Sequence, residues 1–346
     1  MASRWWSGLP PVLAALGIGL VVLALSLAAS GYDAARALGA LWGGAFGSTD
    51  AVLSALLPRA IPLILVGLAI GLAFRAGAFN IGAEGQFYAG AIAATWVGLT
   101  LAAWPRAILV PCVLAAGLVA GMLWTIVPVV LRLRFGVVEV ISTLLLNFVA
   151  EATVSWMVQG PLQEAKHIYP QSDPLPLTAR LPQLGGTRLH LGLVLAVGVA
   201  VGLWVFGRRT LAGFQLRATG ANPLAASVMG GVNTRRVFAL ALLGSGALAG
   251  LAGGTEVSGT TYALFQNLSP GYGFTGIAVA LLARLHPLGT IATGLLFAAL
   301  EAGASAMQRD AGVPAVAVYM VEAAVIIVVL LADVWRRRGD TLAVGT

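Results

Sequence analysis

One cysteine, Cys112, and one lysine, Lys166, occur in 346 residues, and charged residues of all kinds make up only 10% of the chain. Each scarcity excludes something. A lone cysteine rules out a disulfide framework and any cysteine-based metal site of the usual spacing. A lone lysine preceded by Glu164 and Ala165 completes no Gly-x-x-x-x-Gly-Lys-Ser/Thr loop, so the chain holds no ATP in that manner. Ser245 and Ser305 lie in small-residue stretches, yet neither has the full Gly-x-Ser-x-Gly elbow. All three histidines, His167, His190 and His286, precede Ser305, so no nucleophile–base set is expected. The chain is read as a non-enzyme without a metal or cofactor of its own.

The shortage of charge also excludes a soluble globule, which at this length carries about 25% charged residues. What is present instead is apolar: 59% hydrophobic residues and a mean hydropathy of +0.93. An integral membrane protein fits this composition. The net charge is +7, but the arginines fall between apolar runs, which argues for membrane topology and against nucleic acid.

A span needs about 20 mainly apolar residues. Ten candidates follow: 10–30, 59–75, 81–101, 107–131, 138–159, 189–207, 237–255, 272–285, 288–307 and 314–333, with 51–58 as an extension of the second. The first is an alternative to a cleaved signal peptide, and its length favours a retained helix. With the N-terminus inside, thirteen of the twenty Lys/Arg fall on the cytoplasmic side, including Arg336 to Arg338. The positive-inside rule then places both termini in the cytoplasm. The expected fold is all-α: one polytopic transmembrane bundle over 1–346, with broken or short helices near 76–86 and 256–286.

Two loops stand apart. Residues 160–188 hold five prolines and are expected outside as an extended loop too small for a core of its own. Residues 208–236 hold five arginines and no acid and are expected inside. Within them, Asn222 is placed to cap a short helix, Pro223 to fill its first turn and Gly230 to end it. Such a loop either lies against anionic lipid or presents a docking helix to a cytoplasmic partner.

Acids inside spans are costly and mark pathways or buried pairs. Glu84, Glu139, Glu151, Glu301 and Glu322 are of this kind, and Glu256 lies at a boundary. In the fifth span, Glu139, Thr143, Asn147, Glu151 and Ser155 recur every four residues and share one helix face. That stripe faces a water-filled path, a second subunit or a helix–helix seam. Asn80, Glu84 and Tyr88 repeat the spacing, with Gln86 pointing elsewhere. Glu84 either lines a cavity or ties helix ends and a neighbouring arginine together.

Four stretches, in this order, carry a resemblance: FRAGAFNIGAEGQFYAGAIAA (74–94), EVISTLLLNFVA (139–150), LRATGANPLAASVMGG (216–231) and GYGFTGIAVALLARLHPLG (271–289). They resemble permease subunits of bacterial ABC importers, in the nucleoside/simple-sugar branch of the branched-chain amino acid/sugar permease family. The resemblance implies a multi-pass subunit of the bacterial cytoplasmic membrane, paired with a second permease of related sequence. It further implies a cytoplasmic ATPase with two nucleotide-binding domains, which supplies the ATP and Mg site, and an external substrate-binding lipoprotein. The ATPase would dock on Leu216, Arg217, Gly220, Asn222, Pro223 and Ala225. Asn80, Glu84, Gln86, Glu139, Thr143, Asn147 and Phe274 become candidates for the translocation path. Two alternatives stay open: a permease for branched-chain amino acids, or a stand-alone proton-coupled transporter using Glu84, Glu139 or Glu301.

Overall fold

The computed structural model describes residues 9–314 and the isolated positions 319, 323 and 327, with side chains from Gly17 onward. Among the described residues the regular structure is helical, and the only bridges are the isolated pairs Gln171–Phe265 and Gln183–His190. The α-helices are α1 (Leu9–Ala29), α2 (Ala34–Phe46), α3 (Leu57–Arg75), α4 (Ala83–Thr100), α5 (Arg106–Trp124), α6 (Ile126–Phe135) and α7 (Glu139–Gln159). After the long loop come α8 (Gly192–Arg209), α9 (Leu211–Ala221), α10 (Pro223–Val228), α11 (Thr234–Glu256), α12 (Tyr272–Leu282) and α13 (Pro287–Ala311). Six continuous helical runs are long and apolar enough to cross a membrane: Ala51–Arg75, Arg106–Phe135, Glu139–Gln159, Gly192–Arg209, Thr234–Thr261 and Pro287–Ala311. The expected count of ten is therefore not reached on this criterion. Of the remaining four candidates, α1 is described only in part, α12 is short, α4 is too polar to qualify, and 314–333 falls outside the described residues apart from isolated positions.

The chain groups into two compact units, one formed by Leu57–Leu295 and the other by Met1–Leu56 with Leu296–Thr346. In the second unit, Asp33 caps α2 by accepting from the Arg36 amide at 3.0 Å. Gly44 of α2 leaves no room for a Cβ beside Ala306, which brings that helix against the later part of α13. Helix α2 was not among the expected elements.

The 57–295 unit is built around three helices. The apolar windows of Ala51–Arg75 and Thr234–Thr261 are 78% and 61% buried, against 22% for Arg106–Phe135 and Gly192–Arg209. Helix α4 is buried over most of its circumference, including Glu84 and Gln86. A helix buried all round is a core element, so α3, α4 and α11 form the centre and α5, α7 and α8 surround it. Small residues permit this packing. Helix α5 carries Gly117 and Gly121, and α11 carries Gly246, Gly250 and Gly254, each four apart. A Cβ on Gly250 would overlap the Gly117 carbonyl oxygen, and one on Gly90 of α4 would overlap that of Gly250. Close backbone approach of this kind gains dispersion contacts where lipid provides no hydrophobic drive between helices.

Both expected breaks are present. Helix α3 ends with Gly77 in the left-handed region (φ +76°), and the Ala78 amide bonds back to the Ala73 carbonyl at 3.1 Å. That is a Schellman closure, and the chain then runs non-helical to Gly82. At the second break α11 widens into a π-turn at Val257–Thr261, followed by an irregular stretch up to α12. The proline-rich loop lies along this stretch. Amides of Ser172, Leu175 and Leu181 donate to carbonyls of Leu264, Tyr262 and Ser258 at 2.7–2.8 Å, and the Arg180 guanidinium sits 4.4 Å over the Tyr262 ring. The loop borrows its core from the bundle by burying Leu175, Ala179 and Leu181.

Candidate functional site

The first break leaves backbone groups of residues 79–85 without helical partners, and such groups must be satisfied where water is excluded. Side chains do it. The Asn147 Oδ1 accepts from the Gly85 amide at 2.8 Å, and its Nδ2 donates to the Ile81 carbonyl at 3.0 Å. Thr143 Oγ1 accepts from the Ile81 amide at 3.3 Å. Glu139 accepts from the Phe79 amide at 3.5 Å and pairs with Arg132 at 3.2 Å. Helix α7 thus presents three consecutive members of its polar stripe to the broken segment.

The amides inside the break close on one another. Asn80 Nδ2 donates to Gln86 Oε1 and to Ser245 Oγ of α11, both at 2.8 Å, while Asn80 Oδ1 accepts from Gln86 Nε2 at 3.0 Å. Glu84 stands in the first turn of α4 and accepts from the Gly273 amide in the first turn of α12 at 2.5 Å. Ser269 bonds the same carboxylate and also caps α12, accepting from the Tyr272 amide at 2.9 Å. One carboxylate therefore links two helix N-termini, standing in the first turn of α4 and accepting from the first turn of α12, where amides lack helical partners. No arginine joins it among the described residues. Gly273 is required here, because a Cβ would overlap the Glu84 backbone nitrogen.

Six of the seven path candidates, Asn80, Glu84, Gln86, Glu139, Thr143 and Asn147, thus lie in one buried polar network between α4, α7, α11 and α12. Phe274 does not join it; its ring is half exposed on the first turn of α12. The stripe continues past the network to Glu151 and Ser155. Sequence reasoning missed Ser245 and Ser269 as members, since neither follows the four-residue spacing that revealed the others.

The basic segment 208–236 is more ordered than the single short helix expected of it. Thr210 caps α9 by accepting from the Gly213 amide at 3.0 Å. Asn222 then caps α10, accepting from the Ala225 amide at 2.9 Å, with Pro223 in the first turn. The helix ends at Val228, and Gly231, not Gly230, takes the left-handed conformation. The six coupling candidates separate into two groups. Leu216 is buried against Ala76 and Ala241, and Gly220 abuts the Arg75 carbonyl so closely that a side chain has no room. These two anchor the segment. Arg217, Asn222, Pro223 and Ala225 are exposed. Beside them stand three apolar side chains that sequence reasoning did not name: Leu224, Val228 and Met229, at 72%, 75% and 88% exposure. Apolar residues four apart within an arginine-rich segment were the available signal.

A helical bundle with six runs of membrane-spanning length, two interrupted helices and a capped, exposed short helix defines a multi-pass membrane protein. The chain belongs to the family described as the permease component of branched-chain amino acid transport systems, whose profile matches residues 52–330. Among characterised proteins it is 38% identical to the guanosine ABC transporter permease protein NupP of Bacillus subtilis, over 95% of this chain and 94% of that one. It is 36% identical to a glucose ABC transporter permease protein of Haloferax volcanii (94% and 87% covered) and 32% identical to the nucleoside ABC transporter permease protein NupB of Lactococcus lactis (91% and 88%). The Bacillus and Lactococcus relatives each have a second, more distant counterpart in the same organism that also matches this chain and bears the same substrate in its name.

Proposed function

We propose that this chain is one of two permease subunits of an ATP-driven importer that moves nucleosides or simple sugars across a bacterial cytoplasmic membrane. The single observation that carries the substrate class is near full-length similarity, above 30% identity, to permeases named for guanosine, nucleosides and glucose. Paired relatives support a second permease subunit. In this reading some ten spans place both termini in the cytoplasm, with 160–188 outside and 208–236 inside, in keeping with the excess of arginine on that side. A cytoplasmic ATPase pair grips α10 through Leu224, Val228 and Met229, with Arg217, Asn222, Pro223 and Ala225 around them. An external binding protein delivers cargo to the opposite face.

The mechanism follows from alternating access, in which ATP stabilises one of two bundle arrangements and hydrolysis releases it. ATP and Mg belong to the partner. In this chain, α10 passes the motion on through Leu216 and Gly220 to the end of α3. The network of Asn80, Glu84, Gln86, Glu139, Thr143 and Asn147 keeps the interrupted helices in register while they move. Phe274 supplies an exposed ring at the head of α12, suited to stacking on a base or sugar face.

Reconstitution tests the reading. The chain is placed in liposomes with the second permease, the ATPase and the binding protein, and uptake of labelled guanosine, adenosine, glucose and leucine is followed. ATP-dependent accumulation of a nucleoside or sugar is expected. Uptake of leucine alone would move the substrate to the class named by the family description. Accumulation by this chain alone under a proton gradient would replace the importer reading with a secondary transporter.

A further inference from the structure

Beyond Asn147 the polar stripe of α7 has no broken backbone to serve, yet it continues. Glu151 and Ser155 open on a cavity of about 140 Å³ whose other lining residues are Tyr88, Val154, Gln266 and Asn267. That is several times the volume at which a single water fits, about 10–15 Å³. All six residues belong to the 57–295 unit and come from α4, α7 and the irregular stretch before α12.

The hydrogen-bonding state of the lining is unusual for this bundle. The acids Glu84 and Glu139 are both committed to backbone amides, whereas Glu151 is exposed and its carboxylate has no hydrogen-bond partner among the described residues. The Asn267 amide is equally unengaged among them, although its backbone is held in the left-handed region (φ +59°) that Asn tolerates. Ser155 Oγ accepts from Gln159 Nε2 at 2.8 Å and from Gln266 Nε2 at 2.7 Å, which leaves its own hydrogen to donate. Those two bonds fix the hydroxyl and turn the Gln266 amide so that its oxygen remains an acceptor. The cavity thus offers a carboxylate, two amide oxygens, one amide NH₂ and one hydroxyl, beside Tyr88.

We infer that this cavity is a cargo subsite for the vicinal hydroxyls of a ribose or hexose, with Glu151 and Asn267 bonding the hydroxyl pair and Ser155 fixing a neighbouring hydroxyl. The inference rests on the nucleoside-or-sugar reading above and names the residues that would read the sugar. The donor and acceptor count favours a neutral polyhydroxylated ligand. An anion is repelled by Glu151, and a metal cation would find only one carboxylate. The cavity lies on the loop side of the bundle, at the end of α7 that leads into residues 160–188, so cargo entering from outside meets it first. Its groups are few and partly exposed, which suits a step that must also let go.

The test compares a ribonucleoside with its 2′-deoxy counterpart, guanosine against 2′-deoxyguanosine, in the complete reconstituted transporter. Wild type is expected to take up guanosine with a lower half-saturation concentration than 2′-deoxyguanosine. Glu151→Gln removes the charge but not the shape, and Asn267→Ala removes the amide. Glu151→Gln is expected to raise the guanosine half-saturation concentration at least about tenfold, the size of a lost hydrogen bond to a charged group, and Asn267→Ala by about two- to tenfold, the size of one between neutral groups. Each should also narrow the gap between the two substrates. Assembly and melting are measured on the same samples. If both variants import both substrates as wild type does, the subsite is wrong and the importer reading stands. If both substrates weaken equally, Glu151 and Asn267 do something other than read the diol, and the inference is equally overturned. If the wild-type complex assembles yet imports neither nucleosides nor sugars, the functional reading itself fails and the subsite with it.

Discussion

Asn147 makes two hydrogen bonds that nothing else in the seam replaces, one accepted from Gly85 and one donated to Ile81. Leucine at this position is close in volume, but it leaves a backbone amide and a carbonyl unpaired in a dry site, at about 1–3 kcal/mol each. Asn147→Leu is therefore expected to lower the melting temperature in detergent by several degrees, at roughly 2–4 °C per kcal/mol for a unit of this size. Unchanged melting together with lost uptake would instead put the amide in contact with cargo. Glu84 gives a graded version of the same test. Glu84→Gln keeps an oxygen for the Gly273 amide but removes the carboxylate and any charge it carries, whereas Glu84→Ala loses both. Melting and detergent-extracted yield should fall in the order wild type, Gln, Ala; a Gln variant as poor as Ala would show that charge, not hydrogen bonding, holds α12 in place. At this scale the sequence was informative about spacing and silent about partners. Four-residue periodicity placed Glu139, Thr143 and Asn147 on one face. It could not reveal that the face meets a non-helical backbone, because that depends on Gly77 closing α3 and on residues 78–82 staying non-helical afterwards.

Helices in this bundle differ sharply in how close a neighbour may come, and glycine substitutions read that difference out. Gly→Ala in a helix interior ordinarily stabilises by about 0.5–1 kcal/mol. Gly198 of α8 has nothing near the space a Cβ would take, so Gly198→Ala should leave melting unchanged or raise it. Gly250 of α11 faces Gly117 and Gly121 backbone that cannot swing aside, so Gly250→Ala should cost about 1–3 kcal/mol. Equal behaviour of the two variants in a melting assay would mean that α5 and α11 do not pack backbone to backbone. Helix α10 carries the complementary expectation for an exposed element. Leu224→Asp with Met229→Asp should cut co-purification of the ATPase at least tenfold, as buried interface anchors do, while the chain still extracts and melts normally. Retained co-purification would remove α10 from the docking surface. Elements with strong punctuation were legible in advance: Asn222 and Pro223 announced α10, and the glycines near 77 and 271 announced the breaks. Helices α2 and α9 were not. Gly43 and Gly44 weaken the helical signal of α2. The arginines of 208–217 gave α9 the character of a charged connector, although Thr210 was in place to cap it.

Counting membrane crossings is a whole-molecule problem, and hydropathy solves it only for helices that touch lipid. Helix α4 is polar because it is internal: Glu84 and Gln86 are satisfied by protein, so its composition need not match that of a lipid-facing span. Helix α12 is short because Glu84 and Ser269 terminate it inside the bundle. A window that scores apolar length therefore returns six runs, while alternation of the loops asks for more. Sidedness decides between such counts, since one crossing added or removed before residue 208 exchanges the two faces of everything after it. The arginines supply the expectation: 208–236 carries no acid to offset them, and the positive-inside rule draws it to the cytoplasm. Single cysteines test it in a Cys112→Ser background. Lys166→Cys lies on an exposed part of the proline-rich loop and Ala225→Cys on exposed α10. In intact cells a membrane-impermeant maleimide should label the first and spare the second, and after lysis it should label both. Labelling of Ala225→Cys from outside would turn α10 away from any cytoplasmic motor, and with it the route by which ATP hydrolysis reaches this bundle.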